Sequence, residues 1–518
     1  RFNIFMAKVI GIDLGTTFSA IASLDDMGNP EVIPSIEDNR KITSSTVYVD
    51  GKNVIVGDKA LDYFVKEPKK VITETKRQME NDVVYSIDQG KWTKDQDLTD
   101  ALTPTQVSSL ILKKLKDYTS DVTRAVITVP AMFAESARQA TFEAAKMAEI
   151  EVIELINEPT AAVLHYASLP GVKVGGRVMI YDLGGGTFDV TIAEVKNKKV
   201  DVITSRGDKY LGGKDFDAEI TKLMNKKYKA KHNVDLDLTN NKEYIKKAED
   251  VKKILSVKDK ASVQVNGPKG PLEIEITRAE FEESIQTYLE KTKMLIEEAL
   301  ESSHMKPSRI NQTLLVGGST RIPAVVQSLT KLMGKPPIKG VNVDEAVVCG
   351  AAVYAGLKTE HKSLNKKQQE ALAQVELTDV CNFFMGTLAI VTDPTTNREV
   401  MANTTIIKRD TKLPASVTKK YYTMYEGQEE LDCNVTQSEG FEDNVEFVNV
   451  VHKEMLKLPK NRPAKQPIDI TYSYDTSGKI HCLFTDVESG NKYEIELKPH
   501  STKELDDQIK EVEKLVVE

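Results

Sequence analysis

VIGIDLGTT at residues 9–17 and MIYDLGGGT at residues 179–187 follow one design: an apolar run, an aspartate, then glycine and threonine. The runs that end at Asp13 and Asp182 read as buried strands, and the glycines after them mark turns. A glycine turn lets backbone N–H groups approach an anion closely, because no Cβ stands in the way. Gly15 supplies one such turn and Gly184, Gly185 and Gly186 the other, with Thr16, Thr17 and Thr187 adding hydroxyl donors. Asp13, Asp182 and Asp189 carry the hard oxygen atoms that Mg2+ prefers, held mainly through water. Either loop alone is as readily an ordinary strand-to-turn junction. The second copy argues for one phosphate site between two related lobes, with Mg-ATP as the expected ligand.

Working outward, residues 9–357 alternate β-branched apolar runs with segments of helical period, the pattern of α/β layers. LLVGGSTRIP at 314–323 is a third strand-to-glycine junction, with Gly317, Gly318 and Ser319 at the turn. Arg321 there is placed to bond or stack on a base or ribose, although a helix start with an incidental surface arginine is the commoner meaning of such a stretch. In KKAEDVKKILSV, Glu249, Lys252, Lys253 and Ser256 share one helical face. That face suits an adenosine, and by spacing alone it also suits a solvated charged surface. No G-x-x-x-x-G-K-[ST] loop occurs, which excludes the P-loop class.

From Val380 the pattern changes to short alternating strands, and residues 468–497 read as an antiparallel meander with turns at DTSG and ESGN. STKELDDQIKEVEKLVVE at 501–518 reads as one helix, with Ser501 and Glu504 in capping-box spacing and Leu505, Ile509, Val512 and Val516 along a stripe. Residues 359–378 are polar and free of glycine, a helix running into a short linker.

At 518 residues the chain calls for more than one core. A net charge of −8 gives no general attraction to nucleic acid or anionic lipid, and no apolar run approaches the roughly 18 residues that cross a bilayer. Cys349, Cys381, Cys433 and Cys482 form no C-x-x-C pair, so free thiols in a reducing, cytoplasmic compartment are expected. Residues 1–5 precede Met6, which is read as the start of the protein.

GIDLGTT (11–17), ITVPAMF (127–133), INEPTAA (156–162), YDLGGGTFDV (181–190), YLGGKDFD (210–217), LVGGSTRIP (315–323) and DEAVVCGAA (344–352) resemble, in order and spacing, the heat shock protein 70 family. The resemblance is dense over residues 8–357 and looser at NTTI (403–406) and in the meander. It implies a two-lobed actin-like α/β ATPase domain over 6–364, a linker over 365–379, an all-β peptide-binding sandwich over 380–499 and a short C-terminal helix over 500–518, a truncated lid. The implied activity is that of a chaperone whose grip on extended segments of unfolded or nascent polypeptides is controlled by slow ATP hydrolysis. Mg2+ and K+ are the implied ions, and a J-domain co-chaperone and a nucleotide exchange factor the implied partners.

Carried over by position, Asp13 and Asp182 order the metal and its waters, and Lys76 contacts the γ-phosphate and the nucleophile. Glu158 and Thr187 place the attacking water, and Asp189 completes the acidic set. Phe18, Gly212, Gly213 and Asp344 join the nucleotide-binding residues, while Pro130, Arg138 and Asp379 relay nucleotide state to the peptide domain. Taken alone, Lys76 and Glu158 would pass as ordinary surface charges.

The sequence departs from the family pattern in four places. AQVELTD (373–379) replaces a leucine-rich linker, Lys253 an arginine, and Ala134–Glu135 an Asn-Asp pair. After Pro499 one short helix stands where relatives have a helical bundle over the peptide groove, so fast peptide exchange is expected. These departures keep a second reading open, an ATP-bound, weakly hydrolysing scaffold or co-chaperone of the lidless ribosome-associated type. A sugar kinase would leave the β-rich half without a role.

Overall fold

The computed structural model describes residues 9–119, 123–169, 176–338, 342–475, 479–495, 497 and 504–518. Met6, Ser501 and residues 476–478 of the expected DTSG turn lie outside these. The first half forms two lobes on one plan. In lobe I the strand Val9–Asp13 lies between a parallel neighbour, Arg124–Val129, and its antiparallel partner Phe18–Leu24, with Glu151–Asn157 and Pro30–Val32 on the flanks. In lobe II, Gly176–Leu183 lies likewise between the parallel Gln312–Val316 and the antiparallel Phe188–Lys196. Lys199–Asp208 pairs with the latter strand. The repeated Asp-Gly-Thr text is thus a repeated topology that delivers Asp13 and Asp182 at the ends of the two central strands.

Two helices fill the space between the lobes, Glu158–Ser168 and Ala346–Lys358. The second, AVVCGAAVYAGLK, is apolar on every side, as a helix buried all round must be. It approaches the lobe I sheet where Gly11 has no side chain, since a Cβ there would lie 2.3 Å from the Ala352 nitrogen. Lobe I is closed by Pro104–Lys116, whose start carries a Thr103/Gln106 capping box with proline in its first turn, and by Glu135–Met147. Lobe II adds the long helices Gly213–His232, Lys242–Leu255 and Gln286–Ser302.

The second half is a sandwich of two four-stranded antiparallel sheets. Its meander strands Pro467–Tyr474, Ile480–Asp486 and Lys492–Ile495 fall where the alternation put them, with Ile468, Ile470, Tyr472, Cys482 and Phe484 facing the core. All four cysteines are free and buried.

Two expectations are corrected. The linker does not begin at residue 365, because Lys366–Leu372 is a capped helix folded onto lobe I. There Asn365 Nδ2 donates to the Asp26 carbonyl at 3.0 Å, Gln368 Nε2 donates to that of Asp25 at 2.9 Å, and Leu372 is buried. The strand Glu376–Thr378, a few residues further on, pairs in parallel with the edge strand Lys199–Asp208 of lobe II, with Val375 buried. The C-terminal segment is a short helix that lies against lobe I. Helix Leu505–Glu513 packs on Pro104–Lys116, where its stripe residue Val512 is fully buried. Val516 leaves the expected helical stripe, because Val516–Val517 is a strand paired in parallel with Asn53–Val54.

Candidate nucleotide site

Asp13 and Asp182 face one cleft between the lobes. Thr128, the register partner of Asp13, donates its Oγ1 to Asp13 Oδ1 at 2.9 Å. Asp182 lies opposite Asp189 in the hairpin, so strand pairing brings these two acids together. The loop after Asp182 is held from outside. The Gly184 carbonyl accepts from Gly213 N at 3.0 Å and Ser319 Oγ at 2.8 Å, that of Gly185 from Lys214 N at 2.8 Å, and that of Gly186 from Arg77 Nε at 2.9 Å. In a trans peptide the next N–H points the opposite way, so the amides of Gly185, Gly186 and Thr187 are turned from those anchors. Small residues are required here: a Cβ on Gly185 would lie 2.0 Å from Thr17 Oγ1, and one on Gly186 2.5 Å from Thr16. Gly317, at φ +81°, takes a left-handed turn that a side chain resists, and a Cβ on it would also meet the Leu183 carbonyl.

Lys76 and Glu158 form a buried ion pair at the floor, the lysine from the turn Thr75–Gln78 and the glutamate from the first position of its helix. Around the one ammonium stand four carboxylates, Asp13, Glu158, Asp182 and Asp189. Burial first, and then Glu158, pushes Asp13 up to about 6 and Asp189 up to about 8. Asp182 is raised by the same two causes, with Asp189 and Asp13 adding to them. Asp182 Oδ2, Asp189 Oδ1 and Thr17 Oγ1 are buried with no hydrogen-bond partner among the described residues. Orphaned oxygen atoms in a surplus of negative charge fit a hydrated Mg2+ carrying phosphates. Among the described residues no three His, Cys, Asp or Glu are grouped so that they could hold a metal ion directly.

A cavity of about 110 Å3 is lined by Asp13, Lys76, Glu158 and Asp182, with Gly15, Thr16, Thr17 and Gly318 also among its walls. A second of about 500 Å3 adjoins it and is walled by Phe18, Glu249, Lys252, Lys253, Ser256 and Arg321. The charged helix face therefore turns inward and lines a pocket. Its members have separate duties. Lys252 is committed to the Gly213 carbonyl at 2.9 Å and to Asp217 at 2.8 Å, so it braces the loop. Lys253 is half-exposed, lies 5.9 Å from the Phe18 ring centre and pairs with Glu249 at 2.7 Å. Burial would raise Glu249, but Lys214, Lys253 and Lys246 outweigh it and hold the carboxyl at about 2. Arg321 is paired with Asp344 at 2.5 Å. Gly212 packs against the phosphate loop, where a Cβ would meet Gly186 N at 2.6 Å.

Arg138, Asp379 and the residue beside Glu158 are joined. Arg138 donates to Asn157 Oδ1, and Asp379 Oδ2 accepts from Asn157 Nδ2 and from Thr160 Oγ1, each at 3.1 Å. Burial raises Asp379. Pro130 ends the strand before Ala131, whose carbonyl accepts from Asn382 Nδ2 of the sandwich at 2.7 Å.

Sequence reasoning missed Arg77 and Asp215. Arg77 reaches from lobe I to Gly186 and forms a two-pronged pair with Asp215, at 3.3 and 2.5 Å, spanning the cleft. Its position next to Lys76 and the acidic run in YLGGKDFD were the available signals.

The family model described as Hsp70 protein matches residues 9–518. The chain is 33% identical over 507 residues to "Chaperone protein DnaK" of Thermotoga petrophila, covering 93% of this chain and 79% of the relative. A DnaK of Thermotoga sp. (strain RQ2) matches with the same identity and coverage. No helix among the described residues is long and apolar enough to cross a membrane. With this coverage and identity, on a cleft whose loops and orphaned oxygen atoms suit a nucleotide, the chain belongs to the Hsp70 family of ATP-binding chaperones.

Proposed function

We propose that this protein is a slow, actin-like ATPase whose nucleotide state governs binding of extended, unfolded segments in the β-sandwich. The observation that carries the reading is the Lys76–Glu158 pair set among Asp13, Asp182 and Asp189, with Asp182 Oδ2 and Asp189 Oδ1 unpaired among the described residues. Mg-ATP, when bound, supplies the transferable phosphoryl group and the positive charge that the carboxylates lack. The protein's share is placement and neutralisation, which is most of what phosphoryl transfer requires. Asp13 and Asp182, with Asp189 beside them, would hold the hydrated metal, Lys76 would compensate charge on the phosphates, and Glu158 with Thr187 would orient a water. The wall from Glu249 to Ser256, with Arg321 and Asp344, receives the adenosine.

For the peptide, Val400, Met401, Phe441, Phe447 and Val450 are exposed apolar side chains on the sandwich, the residue type that receives extended apolar segments. Unfolded polypeptides, a J-domain co-chaperone and a nucleotide exchange factor are the proposed partners, and the cytoplasm the proposed compartment.

Single-turnover hydrolysis tests the reading. Lys76→Ala should lower the rate by on the order of 100-fold, the usual loss when one charge-stabilising group is removed. Hydrolysis no faster than in that variant, with and without a J-domain protein and an unfolded peptide, would favour the scaffold reading instead. The docked linker and C-terminal segment favour that second reading, since both hold the sandwich on the ATPase lobes.

A further inference from the structure

The helix Glu135–Met147 begins without a cap of its own. Ala134 stands at its N-cap, where the family resemblance puts an asparagine, and makes no side-chain cap hydrogen bond. Ala137, at the third helical position, cannot supply the returning acid of a capping box. The first amides of a helix nevertheless need acceptors, and here they come from remote parts of the chain. Glu80 Oε1, from lobe I, accepts from Ala134 N at 2.8 Å, and Gln437 Oε1, from the sandwich, accepts from Glu135 N at 3.3 Å. A carboxylate also suits the positive end of the helix dipole.

Glu80 has a second partner. Its other oxygen, Oε2, is paired with Lys209, which follows the strand Lys199–Asp208 of lobe II, and the Glu80 side chain is only 10% exposed. Burial would lower Lys209, yet Glu80 outweighs it and, with Tyr210 and with Glu439 of the sandwich, raises the ammonium above its ordinary range. Glu80 lies just beyond the turn Thr75–Gln78 that carries Lys76, and the Lys76 ammonium stands 5.9 Å from the ring centre of Phe133, the residue before Ala134. This stretch of lobe I therefore meets the helix start twice, at Phe133 and at Ala134.

We propose that Glu80 is a positioning residue, a remote cap held in place by Lys209, so that the first turn of the helix Glu135–Met147 is firm only while the two lobes are together. Withdrawal of Lys209 frees the Glu80 carboxylate, Ala134 N loses its acceptor, and the neighbouring contact between Glu135 N and Gln437 loosens with it. A local cap behaves differently: an asparagine at position 134 would firm the turn whether the lobes were together or apart. The contact between Glu80 and Lys209 differs between those two arrangements, which is what a ligand in the cleft needs in order to act on the helix start. That last step rests on the nucleotide reading proposed above, whereas the assignment of Glu80 does not.

Residue-resolved amide hydrogen exchange of Glu135, Ser136 and Ala137 tests this in the full chain, first without nucleotide. Lys209→Met should lower their protection about fivefold, the usual scale of a lost helix cap, while Ala144, Ala145 and Met147 near the far end keep theirs. Glu80→Gln, a second and conservative variant, should do the same, and the two together should do no more than either alone, since both break one ion pair. Adding Ala134→Asn to Lys209→Met should restore the protection, which a general loss of packing at Lys209 would not allow. Mg-ADP should raise the protection of the three amides in the parent and leave it unchanged in Lys209→Met. Unaltered protection in Lys209→Met, an equal loss at the far end of the helix, no recovery on adding Ala134→Asn, or a response to Mg-ADP retained in Lys209→Met would overturn the proposal. Failure of the chain to bind Mg-ADP would count against the nucleotide reading instead, and the nucleotide-free arms would still decide the role of Glu80.

Discussion

Glu135 shows how one side chain can tie domain contact to pH. It begins the helix Glu135–Met147 and is buried where the sandwich meets lobe I, its backbone N–H donating to Gln437 Oε1 at 3.3 Å. Burial pushes its carboxyl up to about 7, and Asp475 adds to the rise, while Arg138, Lys479 and His481 oppose it. A carboxyl whose folded value lies above its ordinary one binds more protons folded than unfolded. Its contribution is therefore complete at low pH and is lost as pH rises from about 4.5 to about 7. Glu135→Gln should flatten the stability profile across that window and make the protein more stable than the parent at pH 8. Urea midpoints at pH 5 and pH 8 measure this, and equal slopes in the two proteins would contradict it. At the same scale, Lys76 and Lys253 looked alike in the sequence. Only packing separates a buried lysine paired with Glu158 from one that lies half-exposed near Phe18.

At the scale of elements, the close crossing of the two interlobe helices is the tightest constraint on the cleft. A Cβ on Gly350 would stand 1.8 Å from the Ala161 carbonyl oxygen, which belongs to the helix that begins with Glu158. Gly350→Ala must therefore push that helix away, and overpacking of this kind costs about 3 kcal/mol. We expect that loss in urea unfolding, with weakened nucleotide binding because Glu158 moves with its helix. A variant as stable as the parent would show that the helices can separate freely. The same contrast between local and remote causes decides which elements were legible in the sequence. The strands ending at Asp13 and Asp182 were legible because their glycines and β-branched runs act locally. The helix Lys366–Leu372 was legible as a helix, whereas its docking on lobe I depends on the Asp25–Asp26 turn, remote in sequence. The tail stripe misled at Val516, since Val516–Val517 found the unpaired edge of Asn53–Val56, and a free strand edge outweighs a helical period of side chains.

At the scale of the whole molecule, the grip of the sandwich on lobe II rests on a compact charge cluster. Arg206 and Arg409 have nearly buried side chains and lie close enough to repel, and burial followed by Arg206 brings Arg409 down to about 10. Two acids balance them. Glu298 of lobe II meets Arg206 at 2.5 Å and Arg409 at 3.6 Å, and Asp410 of the sandwich accepts from both prongs of Arg206 at 3.3 and 3.2 Å. Arg409 also donates to the Ser205 carbonyl at 2.9 Å, which places one arginine on each side of the boundary. Asp410→Ala leaves two buried guanidinium groups facing one half-exposed acid. Loss of a buried partner reaches about 3–5 kcal/mol in dry interiors, and the exposure of Glu298 and Asp410 reduces that to about 2 kcal/mol here. Arg206→Ala with Asp410→Ala should then recover much of it, because the surplus charge disappears along with its partner. A double-mutant cycle on unfolding midpoints should give a coupling of about 1–3 kcal/mol, smaller in about 1 M salt. If the two losses simply add, the cluster is incidental, and the sandwich is held on lobe II by the linker strand and apolar contact alone.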